Sequence, residues 1–157
     1  MRRFPGGTFL MSYEVCGQSG KYDCATYTRT SPDGTTWGDP AALGRIVRND
    51  SGQYFAHAPT FTILPPGRLL AVSQMLNNDD GSTAAGNGKT IFISDDNAAT
   101  WRSASAPVQV PSARNHPCPN YSSQLVPSSD GQSLTEIATD LVGSACKAYV
   151  ATAPLPA

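Results

Sequence analysis

The chain has 157 residues, 13 of them Pro and 14 Gly, with 15% charged residues and a formal net charge of −1. So sparse and balanced a charge leaves no electrostatic footprint for nucleic acid or an anionic membrane, and no apolar run approaches the roughly 20 residues of a spanning helix. Pro and Gly at this density, punctuating short strand-like runs, point to an all-β domain of secreted type.

In chain order, Arg2-Arg3 ahead of Phe9-Leu10-Met11 is a faint match to a twin-arginine export signal, but Pro5-Gly6-Gly7 reads as a turn and no long apolar core follows. Phe9 to Cys16 is an apolar strand interrupted by Glu14, one of only two glutamates in the chain; the other is Glu136. Ala25 to Thr30 alternates as a strand and runs into Ser31-Pro32-Asp33-Gly34-Thr35-Thr36-Trp37, rich in residues that reverse a chain. Gly44 to Arg48 is expected as an outer strand and Ala58 to Leu64 as a first strand. Leu64-Pro65-Pro66-Gly67 is the next turn, and Asn77-Asn78-Asp79-Asp80-Gly81 is a loop after a second strand, which blade geometry would set at the rim of a central cleft. Thr90 to Ile93 leads into Ser94-Asp95-Asp96-Asn97-Ala98-Ala99-Thr100-Trp101, and Pro107 to Val110 is expected as a fourth strand. Tyr121 to Val126 begins a last set of strands that ends at Pro154. No helix-period stretch with caps appears.

The two Ser-to-Trp phrases lie about sixty residues apart and mark a repeat. Phe4-Pro5-Gly6-Gly7 echoes Leu64-Pro65-Pro66-Gly67, and Val126 to Leu134 echoes both. Strand, Pro/Gly turn, strand, loop, strand, Ser-to-Trp turn, strand is the order of a propeller blade. The expectation is a partial β-propeller of about two and a half to three four-stranded antiparallel blades. Residues 1–52 would be the end of one blade, 53–112 a complete blade and 113–157 the last. A closed ring of four to eight such blades needs roughly 240 to 480 residues, so the chain is expected to be the C-terminal part of a six-bladed protein whose N-terminal blades are missing.

The repeated phrase resembles the Asp box, Ser-x-Asp-x-Gly-x-Thr-Trp, of the sialidase superfamily of β-propellers. The second copy matches at Ser94, Asp96, Thr100 and Trp101, with Ala98 where the family has Gly; the first keeps Ser31, Asp33, Gly34, Thr36 and Trp37 but is one residue short. Tyr121-Ser122-Ser123-Gln124-Leu125-Val126, followed by Asp130-Gly131, resembles the last-blade segment of sialidases. The resemblance implies a secreted, exo-acting, retaining glycoside hydrolase of exo-α-sialidase type. Tyr121 would be the nucleophile and Glu14 the carboxylate that activates it, sialidases being the exception to the usual carboxylate pair. The general acid would lie outside the chain.

Arg29, on one strand face with Tyr27, would bind the sugar carboxylate through its guanidinium fork. Gln74 stands seven residues past Gly67, as Glu14 does past Gly7, and is the matching cleft position of the next blade. Lys89 stands where a further arginine would be expected, and this departs from a standard sialic-acid site. Met11 to Gly17, with Cys24 and Arg29, is similar instead to exo-arabinanases, in which Glu14 would be the nucleophile and the furanose is neutral. A non-catalytic Asp-box propeller that binds carbohydrate or protein is the competing class.

His57 and His116 are more often bonded structural or surface residues than site groups. Arg114 and Arg68 are further cations, Arg68 being expected in solvent. Of the three pairings that four cysteines allow, Cys16–Cys24 is the local solution across a hairpin loop. Cys118–Cys146 would then tie the last blade together, and free buried thiols are the other possibility. No Cys-x-x-Cys pattern suggests zinc, and the carboxylates at 79–80 are too few for calcium, so neither metal nor cofactor is expected.

Overall fold

The computed structural model describes residues 1–17, 22–73, 75–109 and 123–157. Its described residues form thirteen strands and no helix, arranged in antiparallel sheets of which none closes on itself. In chain order they are β1 (Arg2–Arg3), β2 (Phe9–Cys16), β3 (Cys24–Ser31), β4 (Arg45–Ile46), β5 (Tyr54–Phe55), β6 (Thr60–Leu64) and β7 (Arg68–Val72). There follow β8 (Leu76–Asn77), β9 (Thr90–Ser94), β10 (Arg102–Ser105), β11 (Gln124–Pro127), β12 (Ser133–Val142) and β13 (Ala145–Pro154).

Neighbours in sequence are neighbours in space. The first sheet runs β1-β2-β3-β4, the second β6-β7-β9-β10 and the third β11-β12-β13. The three Pro/Gly or Ser/Gly turns close alike, the amide of Gly7, Gly67 and Gly131 donating to the carbonyl of Phe4, Leu64 and Ser128. Each of these three sheets falls within one of the ranges 1–52, 53–112 and 113–157.

The sheets pack face to face, and strand alternation decides which residue enters which core. Leu69, Ala71 and Phe92 of the second sheet join Phe4 and Leu10 of the first. Their neighbours Leu70, Val72, Ile91 and Ile93 point the other way and join Leu125 and Leu134 of the third. The middle sheet is thus buried on both faces, so β7 reads as an unbroken apolar run from Leu69 to Val72. Side chains also stitch first strands together: Arg2 Nε donates to the Phe61 carbonyl (3.2 Å) and Thr62 Oγ1 to the Leu125 carbonyl (2.9 Å).

Two elements differ from expectation. The fourth strand of the second sheet is Arg102–Ser105, not Pro107–Val110: β10 pairs with β9 at once after Trp101, from Arg102 opposite Ile93. Pro107, with no amide hydrogen, cannot extend that ladder. A two-stranded sheet of β5 and β8, Tyr54 opposite Asn77 and Phe55 opposite Leu76, was not foreseen. It clamps the segment that joins the first two sheets against the loop after β7.

Candidate functional site

β2 and β3 are joined in a register that sets Glu14 opposite Thr26 and Cys16 opposite Cys24. The opposed cysteines form a disulfide, 8 residues apart in sequence. Cys146 is also disulfide-bonded, and Cys118 lies outside the described residues. Glu14 shares its sheet face with Leu10, toward the second sheet, and stands at the end of β2 next to the β2–β3 loop.

The β5–β8 clamp brings a second strip of chain to the same place. The Glu14 carboxylate accepts at Oε2 from Nδ1 of His57 and from the amide of Ala58 (3.2 Å). Its other oxygen, Oε1, lies 3.2 Å from Cys16 Sγ. That sulfur carries no proton in a disulfide, so the approach is a contact and not a hydrogen bond. For the same reason Glu14, Cys16 and Cys24, whose ligand atoms lie within 4.8 Å of one another, do not make a metal centre: there is no thiolate to bind.

Glu14 and His57 open on a cleft of about 510 Å³, walled also by Asp23, Tyr54, Asn77 and Asp80. The Glu14 side chain is 25% and that of His57 37% exposed, so a ligand in the cleft reaches both. Tyr54 is buried against Tyr22, ring centroids 4.3 Å apart, and its hydroxyl accepts from Asn77 Nδ2 (3.1 Å). Asn77 is only 6% exposed, and its Oδ1 has no hydrogen-bond partner among the described residues. Asp79 faces away, to Arg48 (3.0 Å) and the Tyr22 hydroxyl (2.9 Å). Asp80 is held as a carboxylate, its pKa below the ordinary aspartate value, by the Ser82 hydroxyl and then the Ser82 amide. No arginine or lysine among the described residues lines this cleft.

Arg29 is not brought to Glu14. It pairs with Met11, and alternation puts both, with Tyr13 and Tyr27, on the opposite face of the sheet from Glu14. Its Nε donates to the Tyr13 hydroxyl (3.1 Å) and its Nη1 to the Trp37 carbonyl (3.2 Å), while Tyr13 donates to the Leu43 carbonyl (2.6 Å). Arg29 lines a separate hollow of about 410 Å³ with Trp37, Arg45 and Asp96. Arg68 is tied to Asp95 (2.7 Å) and the Pro156 carbonyl (2.9 Å). Tyr121 and Gln74, with Arg114 and His116, lie outside the described residues.

The Ser-to-Trp turns occupy the opposite ends of β3 and β9 from the cleft. Asp33 Oδ1 accepts from the amides of Thr35 and Thr36 and Oδ2 from the Thr36 hydroxyl; Asp96 does the same with Ala99 and Thr100. The Ser31 and Ser94 hydroxyls accept from the amides of Gly34 and Ala98 (2.9 Å each). Gly34 sits at φ 79° and Ala98 at φ 67°, so Ala98 stands in the glycine place, and Asn97, at φ 57°, takes up the extra residue. The Thr36 amide and other donors hold Asp33 far below the usual carboxylate range. Burial pushes Asp96 up, but the Thr100 hydroxyl and amide outweigh it and leave its pKa lowered. Trp101 is buried against Phe61, centroids 5.9 Å apart, and Trp37 Nε1 donates to the Gly34 carbonyl. The nine matched motif residues build turns, and none of them lines the cleft.

Sequence reasoning missed Tyr54 as a cleft residue and gave His57 a bland role, whereas the loop from Asn77 to Gly81, read as one that blade geometry sets at the cleft rim, supplies Asn77, Asp80 and Gly81 to the wall. It also passed over Glu136, which is 2% exposed in β12 and accepts the Val108 amide (2.8 Å). Burial raises its pKa above the ordinary glutamate value. Its being the second of two glutamates, at an inward position of an alternating strand, was the available signal. Comparison of the chain with known protein families, curated proteins and solved structures finds no match.

Proposed function

We propose that the chain is part of an Asp-box β-propeller of sialidase-superfamily type, and that the Glu14–His57 cleft is the site of a retaining glycoside hydrolase acting on a sugar without an anionic group. The observation that carries this is the partly exposed Glu14 carboxylate in a polar cleft, at the sheet end remote from the Ser-to-Trp turns. The stacking of three meander sheets, with first strands side by side, supports the propeller. Ligands of such folds bind where loops gather at one end.

Glu14 is the nucleophile in this reading. His57 and the Ala58 amide hold one oxygen, so the carboxylate is oriented before substrate arrives, as attack on an anomeric carbon requires. A sialoside is disfavoured, because its carboxylate would enter a cleft lined by Glu14, Asp23 and Asp80 with no guanidinium among the described residues. An arabinan-type glycan is the first neutral substrate to test. A binding module without catalysis is the second reading, favoured by the satisfied state of the Glu14 oxygen.

Release of sugar from aryl arabinofuranoside, arabinan and aryl sialoside should be measured for the whole propeller of which the chain is part, which would carry the general acid, and for its Glu14→Gln variant. Activity on the neutral substrates that falls about 1,000-fold or more in the variant, with glycan affinity kept, supports the hydrolase. Binding without turnover in either protein selects the module. No binding of any glycan sinks both.

A further inference from the structure

Sheet edges among the described residues are short, with one exception. Each edge strand holds two to five residues except β13, which holds ten. Of the short ones, β1 is a pair of arginines and β6 lies between Pro59 and Pro65. Shortness, charge and proline are the devices that keep an edge from pairing with another chain. From Ala148 to Ala153, β13 has none of them. The Leu155 amide donates to the Gln132 carbonyl, and in an antiparallel ladder every second residue repeats that bond. Tyr149, Ala151 and Ala153 are therefore bound to β12, while Ala148, Val150 and Thr152 turn their amides and carbonyls outward. The side chains of these three also stand on the exposed far face, and Val150, 67% exposed, is the most exposed large apolar residue of any described strand.

We propose that β13 pairs antiparallel with β13 of a second copy of the chain, about a two-fold axis at Val150, so that the third sheets of the two copies become one continuous sheet. The strand matches itself in this register. Val150 faces Val150 and Ala148 faces Thr152 of the second copy, so each outward residue meets another outward residue and about six hydrogen bonds close between the strands. Lys147 faces Ala153, which keeps the two lysines apart, and Pro154, which has no amide, falls beyond the central pairs. A two-fold contact of this kind satisfies both edges at once and closes the assembly at a dimer. No residue of β13 lines the Glu14 cleft, so pairing leaves that site open.

Sedimentation velocity of the protein over a dilution series from about 100 μM to 1 μM tests this, with three variants beside the natural chain. The expected result is a species of twice the protomer mass that dissociates on dilution. Val150→Lys sets two like charges across the axis, and Val150→Pro removes the outward amide but no bond to β12; each is expected to weaken the dimer about ten-fold or more. Val150→Lys changes an exposed side chain alone and is expected to keep a cooperative urea transition. Val126→Lys, on the same face but two strands from the edge, is expected to leave the dimer intact. Hydrogen exchange gives the register: the Ala148, Val150 and Thr152 amides should exchange about ten-fold or more slowly in the natural protein than in Val150→Lys, with Tyr149 and Ala151 unchanged. A natural protein that is monomeric across the series, a dimer that survives both Val150 variants, or equal exchange at the three outward amides overturns the inference. A dimer broken by Val126→Lys and kept by Val150→Pro overturns it too, because sheet faces would then be stacking where edges were expected to pair.

Discussion

Gly44 sits where the chain folds back onto the edge of the first sheet, at φ 72°. A Cβ there would meet the Thr28 carbonyl at 2.6 Å, Arg29 Cγ at 2.9 Å and the Tyr13 hydroxyl at 3.0 Å. Left-handed backbone costs a non-glycine residue about 1–2 kcal/mol before any clash, and the Thr28 oxygen is backbone that cannot step aside. Gly44→Ala should therefore lower stability by about 2 kcal/mol or more, read from the urea midpoint at unchanged slope. A loss within a few tenths would mean that the segment shifts freely. Glu136 makes the other residue-scale case. Its folded pKa stands above the unfolded one, so its contribution is complete below the ordinary glutamate value and is lost as pH rises through the raised value. The difference in unfolding free energy between the protein and Glu136→Gln should shift against the natural residue as pH climbs through that window. A flat difference curve would show that burial does not perturb the carboxyl. At this scale the sequence was legible where a type stands out, as Glu14 did, and silent on burial, which hid Glu136.

Among the elements, the hairpin of β2 and β3 carries the cleft carboxylate and is closed by its own disulfide. Cross-linking so short a loop restricts the unfolded chain by about 2.5 kcal/mol on the loop-entropy scale. Cys16→Ser/Cys24→Ser should lower the unfolding free energy by about that amount. Because Cys24 lines the cleft beside Glu14, glycan affinity should fall with it. Retained affinity at reduced stability would assign the bridge to folding alone. The Ser-to-Trp turns were readable because their chemistry is local: each Asp and Ser bonds amides within five residues. The β5–β8 pair was not, for it joins two-residue strands some twenty positions apart, too short for any periodicity to register.

For the whole molecule, the middle sheet is the structural hub, since both its faces are cores. Leu70, fully buried between the second and third sheets, has no room to be replaced. Leu70→Ala should cost about 2–5 kcal/mol, and because the sheets share cores, circular dichroism and Trp fluorescence should follow one shifted thermal transition. Two separated transitions would show that the third sheet melts by itself. That sheet leaves Val126, Ile137 and Val150 exposed on its far face (45%, 44% and 67%), an apolar surface with polar Thr135 and Thr139 between.

By itself the sequence determined the all-β class, the antiparallel order of strands and the two Ser-to-Trp turns, because these follow from alternation and short-range hydrogen bonding. Only the tertiary structure decided which face each strand turns inward. That choice carried Glu14 to a cleft and Arg29 to the other side of the same sheet, although both had been read as parts of one site. It also drew His57, Asn77 and Asp80 to Glu14 from two other segments. Such convergence depends on register and on sheet packing, which a one-residue slip would invert, and neither is written in any local run of residues.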